Sequence, residues 1–98
     1  MYARIFSIQV TLEKMDEFIR LFHNTMVPIA KEQKGWKSAR LLIDRKTGKV
    51  IIVGMWQSEA DALASGAGSA HADRQRAALG SLISAPPVIE HYEVAADL

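Results

Sequence analysis

The spacing of apolar residues switches repeatedly along this chain of 98 residues, and the order of the switches leaves few folds open. Residues 3–10 alternate, with Phe6, Ile8 and Val10 on one face and Ile5, Ser7 and Gln9 on the other, the period of a strand. Over 12–34 the spacing becomes helical: Met15, Phe18, Ile19, Phe22, Met26 and Ile29 share one face, while Asp16, Arg20, Asn24 and Lys31 lie away from it. Thr11 stands where an N-cap belongs, although Lys14 leaves its capping box incomplete. Pro28 is expected to kink or restart the helix, because it lacks a donor and crowds the preceding turn. Gly35 sits where the helix should stop.

Residues 36–44 read as a second strand with Ala39, Leu41 and Ile43 on one face, and the polar run Asp44 to Lys49 as a hairpin turn. Residues 50–56 are nearly all apolar, as in a strand covered on both faces. Ser58 caps a short helix, with Asp61 three residues on. The small residues Ser65 to Ser69 break the pattern, and Ser69 is placed to cap a helix over roughly 70–84 with Leu79, Leu82 and Ile83 inward. Pro86-Pro87 ends it, and residues 88–95 alternate as a last strand. The order β-α-β-β-α-β predicts a single α+β domain over 1–98: a ferredoxin-like, four-stranded antiparallel sheet with both helices on one face. The other face, expected to carry Ile5, Ile51, Val53, Ala39 and Leu41 or their alternates, has nothing in the chain to cover it. A bare apolar face predicts a homodimer through the sheet.

Composition narrows the function classes. The 12 basic and 11 acidic residues are interspersed and give a net charge of +1, with no basic stripe for nucleic acid. Zero cysteines exclude disulfides, thiolate catalysis and thiolate metal sites. The three histidines are too scattered for a metal motif. No stretch approaches the roughly 20 apolar residues of a membrane helix, and Met1-Tyr2-Ala3-Arg4 runs straight into a strand pattern without a leader, so a cytoplasmic protein is expected.

Several segments together resemble the antibiotic biosynthesis monooxygenase (ABM) family of the dimeric α+β barrel superfamily. They are Gly35 after a helix with a mid-helix proline, the strand ending Val53-Gly54-Met55-Trp56, Trp56-x-Ser58 entering a short helix, Ser69-Ala70-His71, and the ending Pro87 to Val94. The resemblance spans nearly the whole chain. It implies a homodimer with facing sheets and a pocket in each subunit between sheet and helices. Some members oxygenate polycyclic phenols or quinols without metal or flavin, others degrade haem, and others isomerise small sugar-derived signals. The haem-degrading pattern has an Asn on the first strand where this chain has Phe6 or Ser7, and a Trp where it has Ser65, so haem degradation is not expected. A two-histidine acid/base pattern finds Ser65 at one position and His71 about one residue displaced at the other.

His71 is the expected proton acceptor, since an imidazole both takes and gives a proton near neutral pH. Trp56, Phe22, Met26 and Phe6 are expected to wall a substrate pocket, with His23 at its mouth. His91 and Tyr92 alternate, so only one faces the helices; the expectation is Tyr92 toward the pocket and His91 toward the dimer face. Arg40 could meet an anion or simply form an ion pair. The leading reading is a cofactor-independent monooxygenase acting on a small phenolic or quinol-type compound. The alternatives are a non-catalytic small-molecule-binding or interaction module on the same fold, and an oxygen-independent isomerase.

Overall fold

The first strand, β1, runs from Tyr2 to Gln9 and lies inside the sheet, paired on both sides. The computed structural model describes residues 1–65 and 70–98; between 70 and 81, the side chains of residues 70–72, 75, 78 and 81 are also outside the described set. Strand β2 spans Trp36–Ile43, β3 Lys49–Trp56 and β4 Val88–Glu93. They form one antiparallel sheet in the order β2-β3-β1-β4. The ferredoxin-like α+β arrangement read from the periodicity is the arrangement observed.

The first helical region is not uniform. A 3-10 turn over Leu12–Lys14 leads into α1, Met15–Leu21, then a π turn over Phe22–Met26, then α2, Val27–Lys31. Pro28 sits in the first turn of α2, and the helix widens just before it. A proline there offers no N–H to the carbonyl four residues back, and the wider turn absorbs the misfit. Thr11 does not cap through its side chain; its carbonyl accepts from Lys14 N at 2.8 Å instead. Gly35 ends the region at φ +82°, and a Cβ there would overlap the Asp61 side chain. The Asp44–Lys49 turn closes as expected, with Asp44 N bonding Lys49 O at 2.8 Å and Gly48 at φ +80°.

Ser58 caps α3, Glu59–Ala64, by accepting from Asp61 N at 3.2 Å. The helix α4 spans Ala70–Leu79, followed by a 3-10 turn over Gly80–Leu82. The proposed cap Ser69 lies outside the described residues. Leu79 and Leu82 are buried, and Ile83 packs against the core. Among the described residues no helix is long and apolar enough to cross a membrane.

The register sorts the side chains into rows across the helix-covered face. Ile43, Val50 and Ile8 make one row, Leu41, Ile52, Phe6 and Ile89 the next, and Ala39, Gly54, Arg4 and His91 the third. The first row packs with Met15, Phe18 and Val10 in the core, where Phe18 and Val50 are 0% exposed. The opposite face presents Ile5, Ile51, Val53, Leu42, Val88 and Tyr92, as strand alternation requires. Ala39 and Leu41, expected there, are on the helix side, because Ala39 pairs with Gly54 and Leu41 with Ile52. Their places on the open face are taken by Arg40 and Leu42.

Candidate functional site

The third row holds two residues with little or no side chain, Ala39 and Gly54, and among the described residues no helix side chain fills the space they leave. The result is a cavity of about 460 Å³. Phe22 and Met26, at the two ends of the π turn, close it from above, and Leu79 adds the α4 side. Phe6, Ile52 and Ile89 form its apolar floor, with Trp56 at one end beside Trp36. Trp56 is 1% exposed and is both a core residue and a wall. Large apolar walls with a few convergent polar groups are the usual make-up of a small-molecule site.

The polar groups are few. Arg4 projects from β1 in phase with Phe6 and Ile8. Its Nη1 donates to Ala62 O at 3.2 Å and its Nη2 to Ser65 Oγ at 3.1 Å, and its guanidinium lies 5.0 Å from the centre of the Trp56 ring. Ser65, buried at the end of α3, donates in turn to Ala62 O at 3.0 Å. Burial lowers the Arg4 pKa from its ordinary value. Next to it on β4 is His91, stacked on Tyr2 with ring centres 6.2 Å apart. Among the described residues, His91 Nε2 is buried without a hydrogen-bond partner. Arg76 also lines the cavity, but it is paired with Asp73 at 3.0 Å.

Trp56, Phe22, Met26 and Phe6 therefore line one cavity. His23 does not: it is exposed, edge-on to Phe22, and borders a separate groove of about 410 Å³ with Ile19, Arg40 and Leu41. Tyr92 is on the open face, opposite Ala3, 51% exposed, and donates to Glu90 Oε2 at 2.8 Å. That bond raises its pKa, with the Glu90 charge and burial adding to the effect. The expected orientation of β4 is thus reversed, and His91 is the residue that faces the cavity. His71 lies on α4, and its side chain is outside the described residues.

Arg4, Trp36, Gly54 and His91 are cavity residues that local pattern did not single out as such. For Arg4 a signal existed: it continues the inward phase of Phe6, Ile8 and Val10, where a charge is out of place. For His91 there was none. Val88, Tyr92 and Val94 make the opposite face of β4 look the more apolar of the two.

The chain is similar in structure to a monooxygenase from the gene ActVA-Orf6 of Streptomyces coelicolor in complex with nanaomycin D, with a TM-score of 0.81 and 17% identity over 99% of this chain and 89% of that one. It is similar to Rv0793 from Mycobacterium tuberculosis, with a TM-score of 0.72 and 19% identity over 98% and 96% of the two chains. A variant of MhuD with two manganese protoporphyrin IX bound per active site gives a TM-score of 0.75 and 17% identity over 100% and 98%. At such identities the likeness is one of fold. No curated protein matches in sequence. The model of the antibiotic biosynthesis monooxygenase (ABM) family matches residues 1–77, most of the chain. On that match, a chain with this sheet and this cavity belongs to the ABM family.

Proposed function

We propose that the protein is a cofactor-independent monooxygenase that oxidises a small phenolic or quinol-type compound in the cavity under the π turn. The observation that carries the reading is the cavity itself: about 460 Å³ walled by Trp56, Trp36, Phe22, Phe6 and Met26, a shape and polarity suited to a flat aromatic molecule. Such a compound ionises and then supplies the electrons for dioxygen. For an anthrone, two C–H bonds of the ring methylene become a carbonyl, one oxygen atom enters the product and the other leaves as water. The chain's own residues hold the ring, keep bulk water away and accept the first proton.

Two histidines compete for that last role. His71 is the candidate from sequence, and His91 is the imidazole on the cavity wall. Oxygen consumption with a panel of anthrones, naphthols and hydroquinones tests the reading. The expected result is uptake above background that falls by about 100-fold when the true acceptor is changed to Ala. Uptake that survives both His71→Ala and His91→Ala removes both from the role.

A binding module without catalysis is the second reading. It is favoured by one observation: among the described residues that line the cavity, His91 is the single imidazole and there is no carboxylate. It predicts ligand binding with no oxygen uptake from any member of the panel.

The working form in this proposal is a homodimer closed over the open sheet face, where Ile5, Ile51, Val53 and Leu42 would be covered. Light scattering should give about twice the mass of one chain, and a single-chain mass would contradict it. The even charge balance and lack of cysteine support a small-molecule partner, not nucleic acid, and a cytoplasmic setting.

A further inference from the structure

We infer that the ligand binds as an anion, with its acidic group on the Arg4 guanidinium and its aromatic plane beside Trp56. The inference rests on the cavity being the ligand site, and it specifies the charge of what enters. Arginine is always protonated, so Arg4 brings a full positive charge into a mostly apolar cavity. Two of its N–H groups are taken, by Ala62 O and Ser65 Oγ. Both acceptors are neutral. Among the described residues no carboxylate lies within ion-pair distance of Arg4, and none lines the cavity.

That is an unusual state for a part-buried cation. Three other arginines are placed differently: Arg45, Arg74 and Arg76 are exposed and paired with Asp16, Glu32 and Asp73. A buried charge is costly unless paired, and a stack on one indole offsets only part of the cost. Ala62 O and Ser65 Oγ hold the guanidinium in place from the α3 side. The remaining N–H groups form a fork that suits a carboxylate or an ionised phenol oxygen, which would make short, charge-assisted hydrogen bonds. Gly54 lies directly across from Arg4 on β3 and has no side chain to occupy the approach. The adjacent His91 Nε2, without a partner among the described residues, adds a second polar atom at the same end.

The test separates charge from shape, and binding from oxygen chemistry. 2-Naphthoate and its neutral isostere 2-naphthamide are titrated into the intact protein by calorimetry without oxygen, beside 2-naphthol at neutral and alkaline pH. The naphthoate should bind at least about tenfold more tightly than the amide. Arg4→Met should abolish that preference, and Arg4→Lys should retain part of it. Naphthol binding that tightens on ionisation would identify a phenolate as the natural anion. Naphthoate preference without it would identify a carboxylate. Equal or tighter binding of the amide overturns the inference. So does a preference that survives Arg4→Met, or no binding of either compound up to about 1 mM. Thermal unfolding of Arg4→Met serves as the fold control, with Arg4→Lys as the second variant. Oxygen uptake is not read in this experiment, so the inference and the oxygenase reading fail independently.

Discussion

Two rows of the same sheet face, two residues apart along each strand from the row between them, are built for different work. Ile43, Val50 and Ile8 fill their row with branched side chains, and Phe18 and Met15 seal it. Ala39, Gly54, Arg4 and His91 make a row with two vacant positions and two polar heads. The first maximises buried apolar area. The second gives up that area and carries a charge into it, which lowers stability. A sheet this small has little stability to spare, and the costly row beside a well-packed one is where the proposed ligand site lies.

Substitutions at the two rows should separate stability from binding. Phe18→Ala removes a fully buried ring above the packed row and should cost about 3–5 kcal/mol in denaturant unfolding. Phe6→Ala, between the rows and bordering an existing space, should cost clearly less, about 1–2 kcal/mol, yet weaken ligand binding more than any core truncation that still folds. Equal stability losses at the two positions would break the comparison. The smallest effect belongs to the open face. The bond to Glu90 raises the Tyr92 pKa in the folded state, so its contribution is complete below about pH 10 and is lost as pH rises through the raised value. Tyr92→Phe should leave neutral-pH stability unchanged and flatten part of the alkaline decline. A steeper decline in the variant would contradict that sign.

The strand and helix pattern was legible because period two and period 3/4 spacing follow directly from burying one face. The hairpin at Asp44–Lys49, the stop at Gly35 and the cap at Ser58 were legible because each needs a residue type with a specific backbone or hydrogen-bonding role. Four walls of the cavity, Trp56, Phe22, Met26 and Phe6, could be named because their phase and bulk agree. Tyr92 and His91 were exchanged because β4 is an edge strand with apolar residues on both sides, and its phase is set by pairing with β1, a long-range contact that local pattern does not contain. Ala39 and Leu41, named for the open face with their alternates left open, face the helices because pairing with β3 sets the phase of β2, the other edge strand. The π turn was hidden as well: Pro28 announced a disturbance but not its form.

The central claim is that the row of Ala39, Gly54, Arg4 and His91 lies under the reacting molecule. Oxygen uptake by the wild-type and Ala39→Phe proteins, on whichever compound of the panel is consumed fastest, tests it most directly. The ring added at Ala39 occupies the cavity from an edge strand, away from the packed row. The account predicts uptake by the wild type and its loss in a variant that still melts cooperatively. Undiminished uptake by the folded variant, or none by the wild type, would contradict it.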